Sequence, residues 1–129
     1  MINTRSQDIA DLKDVEFHIV GCGAIGSSVA MQLVRLGADN FYLYDFDKVE
    51  IPNIGVSQYN EQDVGLPKVG ALINHMKRVN VMIKVEGIIS KFKSYEGGKE
   101  GILILGLDSM KARRDIVEML VKCPYKPKI

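Results

Sequence analysis

The stretch that most narrows what this chain can fold into is GCGAIG at residues 21–26, set between the apolar run VEFHIV at 15–20 and the segment AIGSSVAMQLVRLG at 24–37. The first run is short, rich in β-branched residues and bounded by charge and glycine, which predicts a buried strand. The second places Ile25, Val29, Leu33 and Leu36 at helical spacing, with Gly37 as C-terminal cap. A strand, a glycine turn and a helix in that order are the context in which a GxGxxG motif holds a nucleotide phosphate. Gly21 permits the tight exit from the strand, Gly23 lets a phosphate approach the backbone, and Gly26 allows close packing of helix on sheet. The helix start adds unpaired amides and partial positive charge. The alternative is a glycine turn chosen for packing alone.

The rest of the chain repeats the alternation. FYLYD at 41–45 predicts a second strand, and Val69, Leu72, Ile73 and Met76 stripe a helix over 67–79 that closes on Lys77 and Arg78. VMIKVEGII at 81–89 predicts a third strand and GILILGLD at 101–108 a fourth. Between those two, KSYEGGKE at 93–100 reads as a surface loop. A last helix follows in SMKARRDIVEMLVKC, with Met110, Ile116, Val117, Leu120 and Val121 partly tracing one face before Pro124. Alternating strands and helices imply parallel pairing and right-handed crossovers. The expected fold class is therefore α/β, a doubly wound, mostly parallel sheet with helices on both faces. The length predicts a single domain over residues 1–129. Four strand signals are fewer than such sheets commonly have, so either the sheet is small or it continues beyond Ile129.

Composition excludes several classes of function. Seventeen basic and sixteen acidic side chains leave a formal charge of +1, which gives no electrostatic footprint for nucleic acid and no polybasic membrane patch. Apolar runs fall short of the roughly 20 residues of a membrane helix, and residues 3–8 near the start are polar. The expectation is a cytoplasmic protein without membrane or nucleic-acid partners. Cys22 and Cys123 match no disulfide framework or metal spacing and read as free thiols, Cys22 as a small filler inside the turn. His18, inside the first strand, reads as a packed histidine.

Asp45 follows Gly26 by nineteen residues at the end of the second strand, where a carboxylate accepts hydrogen bonds from ribose hydroxyls. To this point NAD and ATP fit equally well. The stretches DFDKVEIPN, SQYNEQDVGLPKVGAL and LGLDSMKARR go further. Taken together they resemble the ATP-binding half of the ThiF/MoeB/HesA family, Rossmann-like adenylating enzymes that include the ubiquitin-activating enzymes. The resemblance spans roughly residues 16–118. It implies that Gly21, Gly23, Ala24 and Gly26 form the phosphate loop, that Asp45 binds the ATP ribose, and that Asp47 belongs to the same nucleotide-binding set. It further implies that Asn53 and Lys68 reach the phosphates, that Asp108 holds Mg²⁺, and that Arg113 completes a DxxxxR pattern. Lys68, Asp108 and Arg113 are on this resemblance the catalytic residues.

Read from position alone, each of these residues keeps a plainer role. Lys68 beside Pro67 serves as a solvated first-turn lysine, Asp108 as a helix N-cap, Asn53 after Pro52 as a turn former, and Arg113 and Arg114 as partners in surface ion pairs. The sequence also departs from the family. Val56 stands where an arginine is common, and Arg5, which relatives often lend across a dimer interface, is the available substitute. No motif supports a thioester role for Cys123. The resemblance thus implies an ATP- and Mg²⁺-dependent adenylyltransferase domain, a homodimer or heterodimer, that activates the C-terminal carboxylate of a ubiquitin-like or sulfur-carrier protein. The alternatives are a non-catalytic ATP-binding module or partial subunit of such an enzyme, and a NAD-dependent oxidoreductase domain.

Overall fold

Strand β1 (Glu16–Val20) lies inside a four-stranded sheet of order β3-β2-β1-β4, with β2 at Asn40–Tyr44, β3 at Lys84–Ile88 and β4 at Ile102–Leu105. The computed structural model describes residues 12–93, 95, 101–107 and 109–120. Every pairing is parallel: Phe17 sits opposite Phe41 and Ile102, and Phe41 opposite Val85. Three helices follow the glycine turn, the long second connection and β4, namely α1 (Ala24–Arg35), α2 (Lys68–Val79) and α3 (Met110–Leu120). The doubly wound α/β architecture expected from the sequence is the one observed.

Strand parity divides the core. Phe17 and Ile19 of β1 and Phe41 and Leu43 of β2 pack with Met31 and Val34 of α1 and Leu72 and Met76 of α2. Leu43, Leu72 and Met76 are fully buried, each contributing about 1.5–3 kcal/mol relative to exposure. Val20 and Leu103 face the other way and pack with Tyr95 and with Ile116 and Leu120 of α3. Winding therefore reverses between β1 and β4, the position where open α/β sheets take ligands at their carboxyl ends.

Several elements differ from expectation. Of the stripe expected in α1, Leu33 packs partly buried against the core while Ile25 and Leu36 are about half exposed, and the buried face is Gly26, Ser27, Ala30, Met31 and Val34. Small residues occupy the helix start because Gly26 lies almost on the backbone of Gly21, and Met31 and Val34 fill the core further along the helix. Val81 and Met82, read as the start of β3, form an exposed turn in which Asn80 Oδ1 accepts the Met82 amide. In α3, Met110 and Val117 are exposed, and only Ile116 and Leu120 of the expected face are buried, Val121 lying outside the described residues. The cap of α1 is as expected. Gly37, at φ 104°, follows the helix while its amide and that of Ala38 donate to Val34 and Leu33, a Schellman motif.

Candidate functional site

Three glycines meet where the winding reverses. Gly21, at φ 91°, ends β1, and a Cβ there would lie 3.0 Å from the Gly106 carbonyl that follows β4. A Cβ on Gly26 would lie 1.8 Å from the Gly21 oxygen, and one on Gly106 would be 2.9 Å from the Gly26 Cα. Backbone touches backbone at all three, so only glycine fits. Gly106 was missed in the sequence because it belongs to no local motif; its reason is a contact with a segment eighty residues away.

Gly23 differs in kind. It is the N-cap of α1, contributes no capping side chain, and a Cβ there would meet nothing within 4 Å. The first-turn amides of α1 are thus uncapped beside open space. That space is a cavity of about 500 Å³, within the usual size of small-molecule sites. Gly21, Gly23 and Gly106 form its floor, Tyr44, Asp45, Phe46 and Asp47 one wall, and Lys68 projects from the start of α2. Ser90, Lys91 and Phe92 after β3 and Ser109, Ala112 and Asp115 around the start of α3 complete the lining.

Asp45 is held in place by the turn it faces. Its Oδ2 accepts the Cys22 amide at 2.8 Å and its Oδ1 the Asp47 amide at 2.8 Å. The Lys68 amide donates to the Asp47 carbonyl at 2.9 Å, and Lys68 Nζ lies 4.0 Å from Asp47 Oδ2. Lys68 is mostly buried, so the solvated-lysine role does not hold. The connection before it is pinned by the amides of Val49 and Gly65, which donate to Leu66 and Val49 respectively. At the far end the rings of Tyr44 and Phe92 meet edge to face at 5.0 Å, and Lys91 Nζ lies 5.7 Å from the Phe46 ring centroid.

Gly21, Gly23, Asp45, Asp47 and Lys68 are therefore brought together around one cavity. Gly26 sits beneath it as packing, and Ala24 opens α1 without lining it. Asn53 does not line it either. Its Oδ1 accepts the Glu50 amide, closing a capping box around the short turn Ile51–Asn53, and its carbonyl accepts the Ser57 hydroxyl. Arg113 also stands off the cavity. Its Nε donates to the Leu107 carbonyl at 2.7 Å, tying α3 to the end of β4. Ser109 caps α3, its Oγ accepting the Ala112 amide. Asp108, Arg5 and Cys123 lie outside the described residues. Lys91 and Asp115 were not anticipated, because their place in the cavity comes from the sheet order rather than from local spacing.

The two remaining polar readings hold. His18 is buried, with Nε2 2.5 Å from Glu16 Oε1 and Nδ1 2.8 Å from the Tyr44 hydroxyl, and its ring stacks on Tyr42. Cys22 is fully buried; burial first, and then the charge of Asp45, push its thiol well above the ordinary range against a weaker pull from Lys68. It is packing, not a nucleophile. No helix among the described residues is long and apolar enough to cross a membrane.

A family model described as the ThiF family matches residues 2–125. Ubiquitin-like modifier-activating enzyme 5 of Caenorhabditis briggsae is 36% identical over 80 residues, 62% of this chain and 18% of that protein. The protein of the same name from Culex quinquefasciatus is 30% identical over 120 residues, 91% of this chain and 29% of its own length. The chain thus spans less than a third of these curated relatives. Among solved structures, E. coli MccB with ATP superposes with a TM-score of 0.74 at 26% identity, over 88% of this chain and 35% of that one. E. coli tRNA N6-threonylcarbamoyladenosine dehydratase, TcdA, shares the fold with a TM-score of 0.75 at 20% identity, over 97% of this chain and 53% of its own.

Proposed function

Because the chain belongs to the ThiF family, we propose that it is the nucleotide-binding domain of an ATP-dependent adenylyltransferase that activates the C-terminal carboxylate of a ubiquitin-like or sulfur-carrier protein. The observation that carries this reading is the convergence of an uncapped helix start, an open glycine at position 23, Asp45 and Lys68 on one cavity. Enzymes 5 of the ubiquitin-like modifier-activating type and the ATP complex of MccB lend it support.

Joining a carboxylate to the α-phosphorus of ATP expels pyrophosphate and gathers negative charge on phosphate oxygens. In this reading the α1 amides over Gly23 and the Lys68 ammonium meet that charge, with Asp47 holding the lysine aimed. Asp45, oriented by the Cys22 amide, takes the ribose hydroxyls with its remaining lone pairs. Arg113 orders the loop after β4, and Asn53 shapes the connection that delivers Lys68, reaching the phosphates only if its capping box opens. Magnesium takes one or two carboxylates with phosphate oxygens and water. By the family resemblance Asp108 is the proposed ligand, placed by the sequence just after β4. When bound, the ion would neutralise phosphate charge.

A second reading, a non-catalytic module or partial subunit completed by a partner, is favoured by one feature. Val56 is 66% exposed where relatives commonly offer an arginine. Arg5 supplied across a homodimer or heterodimer would restore that charge. The test has two arms. ATP with magnesium is expected to stabilise the domain by about 2.7 kcal/mol at a hundredfold excess over Kd, read as a rise in melting temperature, while NAD does not; stabilisation by NAD alone would make the domain an oxidoreductase module. Exchange of labelled pyrophosphate into ATP in the presence of carrier proteins then separates enzyme from module.

A further inference from the structure

One buried polar atom is unused by the reading above. Tyr59 is 3% exposed, and its hydroxyl donates to the carbonyl of Cys22, inside the glycine turn, while lying 3.3 Å from the carbonyl of Lys68. Neither carbonyl belongs to its own segment. We propose that the Tyr59 hydroxyl sets the separation between the glycine turn and Lys68, making Tyr59 a positioning residue for the phosphate end of the cavity. This rests on the nucleotide reading of the cavity.

The geometry supports a specific use of the hydroxyl. A phenylalanine would fill the same apolar space, so the ring alone does not require tyrosine. The oxygen bridges two elements, the turn that offers amides and the helix that offers the lysine. The neighbouring residue adds a parallel tie, the Gln58 amide donating to Ser27 Oγ of α1 at 3.4 Å. Burial, and then negative charge that includes Asp45 and Asp63, raises the phenol far above its ordinary value, so the group remains a donor. Asp45 is fixed to the Cys22 amide on the opposite side of the same residue, which leaves the ribose end anchored when Tyr59 lets go.

The test is Tyr59→Phe, read by calorimetric affinity for ATP and for adenosine and by amide hydrogen exchange over residues 21–27 of the ligand-free protein. The expected result is a loss of about tenfold for ATP, the size of one buried hydrogen bond, with adenosine changed less than about twofold and exchange over the turn accelerated. Equal losses for both ligands, or exchange at the wild-type rate, would overturn the assignment. If the wild-type protein takes up neither ATP nor adenosine, the nucleotide reading is what fails, and exchange over the turn still decides whether Tyr59 holds it.

Discussion

Replacing Gly26 by alanine should damage the fold, and replacing Gly23 by alanine should damage only the site. The added Cβ at position 26 would lie 1.8 Å from the Gly21 oxygen and 2.9 Å from its carbonyl carbon. Real contacts of this kind stop near 3.0 Å, so the start of α1 must retreat by about 1.2 Å. The obstacle is main chain on both sides, so no rotamer relieves it, and the cost falls at the upper end of the about 1–3 kcal/mol typical of overpacking. Alanine's better helix propensity returns about 0.8–1 kcal/mol. A net loss of about 2 kcal/mol corresponds to a fall in Tm of roughly 6–10 °C for a chain of this size. At position 23 φ is negative and no protein atom lies within 4 Å of an added Cβ, so Tm should fall much less than for Gly26→Ala. The methyl group at position 23 enters the space proposed for phosphate, and ATP affinity should fall by at least about tenfold. Thermal melting followed by circular dichroism, with ATP titration of each variant, separates the two effects. A Gly26→Ala protein that melts with the wild type would refute the packing argument, and a Gly23→Ala protein that binds ATP normally would refute the placement of the phosphates.

Three further outcomes follow from described contacts. Burial raises the Asp63 carboxyl, but the hydrogen bonds from His75 and the Asn60 amide, with the charges of His75 and Arg78, outweigh it and leave it below its ordinary value of 3.8. The unfolded chain then binds the proton more readily, so this stabilisation is complete above about pH 4 and is lost as pH falls through the folded value; urea melts should show Asp63→Asn weaker at pH 7 and less pH-dependent below 4. Lys68→Met should keep the fold through its aliphatic stem yet lose ATP affinity more than adenosine affinity, and equal losses by calorimetry would remove the lysine from the phosphates. Cys22 should resist a thiol reagent at pH 8 in the folded protein and react after denaturation, and rapid labelling of its peptide by mass spectrometry would contradict its burial.

What the sequence disclosed, and what it withheld, divides by the range of the interaction responsible. Strand and helix order, the Gly37 cap and the apolar stripe of α2 are local, and periodicity displayed them. The face of α1 is not local. Ile25 and Leu36 satisfy a helical period, yet the near contact of Gly26 with Gly21 rotates small residues toward the sheet, a constraint that hydrophobicity cannot register. Val81 and Met82 extended the apolar run of β3, but Asn80 bends the chain there. In the site, Asp45 and the turn glycines carry a motif, whereas Gly106, Tyr59, Lys91 and Asp115 enter through tertiary neighbours and have no signature at their own positions. Asn53 illustrates the converse, a motif residue whose side chain is committed to a turn.

A floor made only of main chain reads charge and not chemical identity. The amides of Gly21 and Gly106 are spent on Tyr44 and Val20, so on the proposed reading only those at the start of α1 would meet a polyphosphate, and choice among nucleotides would fall to Asp45 and the rings of Tyr44, Phe46 and Phe92. Retargeting the domain to another base or sugar would then be an exercise in editing those few side chains, with the phosphate end left as it is.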